Sequence, residues 1–202
     1  MYSYRNLLLI IALVLVIGST TLGADGPCIV QGRGAFQIYT GTGGLFGAFA
    51  HEHLIKANKI EGCATINPND LTRSSIKLIF STADIRVIDP KESAADRAKV
   101  QQNMETDVLR VAEYPRITFE STTVERGEAA DVLRIRGNLT IRGNAQPVTI
   151  AVKLTRLEDG AYRATGEYKF KQTSFGIKPI QLAGGTIKVK DEVRTEFELF
   201  LK

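Results

Sequence analysis

Residues 132–154 read VLRIRGNLTIRGNAQPVTIAVKL, and their alternation decides the fold class. Leu133, Ile135, Gly137, Leu139 and Ile141 take the odd positions, while Arg134, Arg136, Asn138, Thr140 and Arg142 take the even ones. A period of two places these sets on opposite faces of an extended strand, one dry and one wet. Gly143-Asn144 interrupts the pattern as a turn, and Val148, Ile150, Val152 and Leu154 resume it. The stretch reads as an antiparallel hairpin with a single face turned to a core.

The same pattern extends in both directions. Glu158-Asp159-Gly160 forms the next turn, and Tyr162, Ala164, Gly166, Tyr168 and Phe170 then share one face. Gly184-Gly185 precedes a last long strand with Ile187, Val189, Val193, Phe197, Leu199 and Leu201 inward. Towards the N-terminus, shorter strands are marked by Phe36 and Ile38, by Ile60 to Ile66, by Ile76 to Thr82, and by Ile117 to Ser121. One helix interrupts the series. Ser93 and Asp96 have capping-box spacing, Val100, Met104 and Val108 recur at helical spacing, and Pro115 ends the segment.

The expectation is an all-β protein: an antiparallel barrel of about eight strands with one short helix in a connection. A two-sheet sandwich gives the same alternation, but long one-sided strands favour a barrel, which removes exposed edges. About eight strands enclose either packed side chains or one small ligand. Small inward residues (Gly62, Ala64, Gly137, Ala164 and Gly166) favour a cavity.

The first residues read as a leader. Arg5 precedes the apolar run of 11 residues from Leu7 to Ile17, and small residues follow up to Ala24. This is the layout of a secretory signal peptide, and the run is short for a membrane span, which takes roughly 20 residues. The expected organisation is a signal peptide over 1–24 and one barrel domain over 25–202, periplasmic or secreted. Removing Arg5 from 26 basic residues leaves 25 against 22 acidic ones, a net charge of about +3. That balance is too mild, and too evenly spread, to indicate nucleic acid. Cys28 and Cys63 are either a disulfide, which an oxidising compartment permits, or two free thiols.

Three stretches carry a family resemblance. Residues 104–122 read METDVLRVAEYPRITFEST, residues 137–150 read GNLTIRGNAQPVTI, and residues 174–178 read SFGIK. In order and spacing they resemble the YceI-like family, and the resemblance spans residues 33–202. It implies a lipocalin-like barrel whose apolar tunnel holds a polyisoprenoid or another long-chain amphiphilic lipid. Such a lipid is the expected ligand. Transient membrane contact and a homodimer are compatible with that reading. One departure is GGLFGAFAHEH at residues 43–53, whose His-x-His is a feature of some relatives only.

Candidate lining residues are Phe36, Ile38, Leu78, Phe80, Phe119, Leu133, Ile135, Tyr168, Phe170 and Phe175. Plain core packing is the competing reading for any one of them. A lipid head needs one or two polar anchors, for which Lys178, Gln181 and the histidines are candidates. His51 and His53 are the only histidines, and on a strand both point to one face. Together they can share a Zn or Cu ion, with Cys63, Glu61 or Asp84 as a third ligand. Two protein ligands fall short of the usual three or four, so a hydrogen-bonded pair near the barrel mouth is preferred, with a metal protein or metal-dependent enzyme as the alternative. Any Ser-His or Cys-His chemistry must use one of these two histidines, no Gly-x-Ser-x-Gly elbow occurs, and the glycines at 41–47 do not fit a phosphate loop. The expected activity is binding, without catalysis and without a resident cofactor.

Overall fold

Alternating side chains commit most of the chain to strands. The computed structural model describes residues 27–44, 52–182 and 187–202, which form a single antiparallel sheet of eleven strands. The expected leader at 1–24, the Gly184-Gly185 turn, His51 and most of the glycine-rich lip lie outside the described residues. The strands are β1 (Ile29–Gly44), β2 (Glu52–Ala57), β3 (Ile60–Thr65), β4 (Ser75–Ser81), β5 (Ile85–Val87) and β6 (Arg116–Arg126). The second half supplies β7 (Val132–Ile141), β8 (Asn144–Arg156), β9 (Tyr162–Lys171), β10 (Gln181–Leu182) and β11 (Ile187–Leu201).

The order across the sheet is β3-β4-β6-β7-β8-β9-β11-β1-β2-β5, with β10 added to β11. The count is therefore eleven, not about eight. Eight of these strands (β3, β4, β6, β7, β8, β9, β11 and β1) make the main wall. The short additions β5 and β10 have three and two residues, too few for a period of two to register.

The sheet curls until its β3 end meets the start of β1. Ala64 N–H donates to the Pro27 carbonyl at 2.8 Å. Cys28 and Lys202 exchange two backbone hydrogen bonds of 2.9 and 2.8 Å. Residues 27 and 28 are thus held between β3 and the end of β11, and a Cys28–Cys63 disulfide locks the junction. Pairing at this seam satisfies edge groups that would otherwise face outward as a template for aggregation.

Within the wall, the odd residues of β7 point inward as their alternation requires. Leu133, Ile135, Gly137 and Ile141 are buried, while Arg134, Arg136 and Asn138 are exposed. The β7–β8 hairpin turns at Arg142-Gly143, one residue earlier than the sequence suggests. Both residues have positive φ, 50° and 73°, the geometry that matches the twist of a two-residue hairpin.

Gly137 and Gly166 do not leave the room that small residues imply. A Cβ on Gly137 would stand 2.4 Å from the Glu120 carbonyl oxygen and 2.7 Å from the Phe119 ring. One on Gly166 would stand 2.6 Å from both the Ala151 carbonyl oxygen and the Phe197 ring. Aromatic rings from neighbouring strands lie over these glycines and fill the space.

The helix forms where its cap and spacing place it, between β5 and β6. In α1 (Ala94–Asn103), the Ser93 hydroxyl accepts from Asp96 N–H at 3.1 Å, satisfying one of the free amides of the first turn. The helix continues as a π-helical turn over Met104–Val108. Gln101 ties it to β5, accepting from Val87 N–H at 2.8 Å and donating to the Ile85 carbonyl at 3.0 Å. Arg142 donates to the Val108 carbonyl at 3.3 Å, so the segment spans from β5 to the β7–β8 turn. Met104 and Leu109 are buried on its inner side. No helix among the described residues is long and apolar enough to cross a membrane.

Two outcomes test this account. Replacing both Cys28 and Cys63 with Ser should lower unfolding stability by about 3–4 kcal/mol, the chain-entropy value for the loop they close, as a shift in urea midpoint that reductant reproduces in the wild type. Gly137→Val should cost on the order of 2 kcal/mol or more in the same assay, because backbone as well as a ring must move.

Candidate functional site

Inward-facing apolar side chains do not fill the barrel. They enclose a cavity of about 300 Å³. On β7 alone the wall runs from Leu133 to Ile141, roughly 26 Å at about 3.3 Å per residue. At one end the wall includes Ser74 and Ser75, which precede or begin β4. At the other it includes Val100, Met104 and Leu109 from the helical segment, which cap that end.

Nine of the ten candidate lining residues border this cavity. Phe36 and Ile38 come from β1, Leu78 and Phe80 from β4, and Phe119 from β6. Leu133 and Ile135 come from β7, and Tyr168 and Phe170 from β9. Burial pushes the Tyr168 phenol up from its ordinary value, so it stays neutral across the physiological range. Phe175 is the exception. It is 1% exposed and packs with Ile141 and Ile177 in a separate small core, meeting Phe170 edge-on at 5.4 Å. The short helical turn over Gln172–Phe175 takes Phe175 out of strand alternation, so its inward position in the sequence pattern does not put it on the cavity wall. That turn is held by Asp191, whose carboxylate accepts from the Thr173 amide at 2.9 Å and hydroxyl at 2.7 Å. Those bonds keep the Asp191 carboxyl below its usual value.

The small inward residues divide. Ala64 and Ala164 border the cavity, whereas Gly62, Gly137 and Gly166 do not. Polar groups are sparse. Thr40, Thr42 and His53 lie on the wall near the end of β1, with Gln172, Thr195 and Asn103 elsewhere on it. Lys178 and Gln181, expected as head-group anchors, are exposed and off the wall. Gln172 is the buried amide there instead, donating to the Lys190 carbonyl at 2.8 Å.

His53 sits on β2 opposite Thr40 of β1 and is 8% exposed. Its Nδ1 lies 2.9 Å from Glu92 Oε1 and 3.8 Å from Asp89 Oδ2. None of the third ligands expected from sequence approaches it in this way. Cys63 is consumed by the disulfide, Glu61 pairs with Lys59 at 3.1 Å, and Asp84 belongs to a short turn before β5. Asp89 and Glu92 lie in the irregular connection between β5 and α1, where periodicity carries no information.

Comparison with known proteins agrees with this architecture. The YceI-like domain model matches residues 37–201. A UPF0312 protein of Pseudomonas aeruginosa is 32% identical over 167 residues, covering 78% of each chain. A UPF0312 protein of Yersinia pestis is 28% identical over 187 residues, 89% of this chain and 80% of that one. Among solved structures, Burkholderia cenocepacia BcnA superposes with a TM-score of 0.68 at 16% identity, covering 86% of this chain and 99% of its own. A polyisoprenoid binding domain from Saccharophagus degradans superposes with a TM-score of 0.61 at 11% identity, covering 87% and 97%. Matched over nearly all of its described length, the chain belongs to the YceI-like domain family.

Proposed function

We propose that this protein is an exported carrier that holds a polyisoprenoid or similar long-chain amphiphile inside its barrel, and that it acts by binding, not by catalysis. The observation that carries the reading is the apolar cavity running along the strands from Ser74 to the helical cap. A chain placed there leaves water at a gain of roughly 0.8 kcal/mol per CH₂. Few directed contacts are then needed, which suits a wall with so few polar groups. The relative from Saccharophagus degradans is described as a polyisoprenoid binding domain, which supports the same class of ligand. Export is supported by the leader-like first 24 residues and by the Cys28–Cys63 disulfide, since such bonds persist in oxidising compartments. A periplasmic or secreted protein would meet its lipid at a membrane surface, by transient contact.

Native mass spectrometry on protein purified from its own host without detergent is the direct test. A reproducible added mass that organic solvent removes is expected, and it would identify the lipid. A bare protein that also fails to take up an offered long-chain prenol overturns the proposal. Ala164→Phe should weaken prenol binding by roughly tenfold or more while preserving the β-sheet circular dichroism spectrum, because the new ring enters the cavity instead of the outer face.

A further inference from the structure

The His53 cluster meets the apolar cavity through His53 alone, since Asp89 and Glu92 lie off its wall, and its composition is that of a metal site. We infer that His53, Asp89 and Glu92 form a three-ligand site for a divalent transition cation such as Zn²⁺ or Mn²⁺. One donor atom from each residue lies within 4.8 Å of the other two. Two ligands bound at about 2.1 Å in a tetrahedral arrangement stand about 3.4 Å apart, and the two distances from His53 Nδ1, 2.9 and 3.8 Å, bracket that value. Small movements of the two carboxylates bring all three donors to one ion.

The donors are buried, with side chains 10%, 1% and 8% exposed for His53, Asp89 and Glu92. Carboxylates gathered out of water are ordinarily paired or coordinate metals. An imidazole with two carboxylates and no thiolate suits Zn²⁺, Mn²⁺ or Fe²⁺ better than a soft cation. Three protein ligands also leave a further position open, as in sites that bind an exchangeable ligand.

The backbone that presents the carboxylates is ordered before any ion arrives. Asp89 Oδ1 accepts from Lys91 N–H at 2.9 Å, which turns Oδ2 towards His53. Arg97 donates to the Asp89 carbonyl at 3.2 Å and to the Glu92 carbonyl at 2.5 Å, bracing the loop from the helix. A second observation comes from the opposite strand. Thr40, the register partner of His53, has a buried hydroxyl with no hydrogen-bond partner among the described residues, and both border the cavity. Thr40 thus offers an unused hydroxyl on the strand next to His53.

The test uses the purified full chain, stripped with chelator and titrated with Zn²⁺ and with Mn²⁺ against a competing chromophoric chelator. Co²⁺ serves as a visible reporter of the ligand set. One equivalent should bind in the wild type. Glu92→Gln and Asp89→Asn should each weaken binding by roughly tenfold or more and alter the Co²⁺ absorption. Glu61→Gln, outside the cluster, should leave both unchanged. If the wild type takes up no stoichiometric ion, or if Glu92→Gln and Asp89→Asn bind as the wild type does, the site is wrong. The wild-type titration decides this even where a variant does not fold. Prenol binding measured alongside keeps the outcome separate from that of the carrier proposal.

Discussion

The curled sheet depends on one junction, where β3 meets the start of β1. A sheet of long antiparallel strands has two edges, each a row of unpaired amides and carbonyls. Here Pro27 and Cys28 are gripped between Ala64 on one side and Lys202 on the other, and the disulfide prevents the grip from opening. With that seam joined, the inward faces of eight strands look at one another across a common interior. Were the seam open, the same faces would border solvent, and the cavity would be a groove.

Curvature then determines how the interior is filled. Close packing is the rule in protein cores, and unfilled apolar space is costly. Two aromatic rings lie over glycines of neighbouring strands, Phe119 over Gly137 and Phe197 over Gly166. Elsewhere Ala64 and Ala164 border the cavity. The result is an apolar space along the strands, a shape matched to a chain and poorly matched to a compact polar substrate. The helical segment contributes to the same end by laying Val100, Met104 and Leu109 over one mouth. Gln101 and the Ser93 cap tie that segment to β5 and order its first turn.

The His53 cluster belongs to a different order of interaction. It joins β2 to the connection that precedes α1, and Arg97 couples that connection to the helix cap. A charge placed there would act on the wall of the cavity through His53 and beside Thr40. His53 and Thr40 are thus among the few polar groups on a wall that is otherwise mostly apolar.

Alternation in residues 132–154 and 162–171 was enough to determine strands, faces and an antiparallel all-β fold, because a period of two is a local property of an extended backbone. The helix was equally legible, since a cap and a 3.6-residue repeat are local too. Nine cavity-lining residues could be named for the same reason: each lies on the dry face of a strand. Phe175, expected on the wall with the others, lies off it, because a four-residue turn breaks the alternation that made its neighbours readable. Whether small inward residues leave space was decided only in three dimensions, where rings from adjacent strands reach over Gly137 and Gly166. The pairing of Cys28 with Cys63 and the meeting of His53 with Asp89 and Glu92 are likewise products of the closed fold. They join residues 35 or more positions apart, and no local periodicity encodes a distance of that kind.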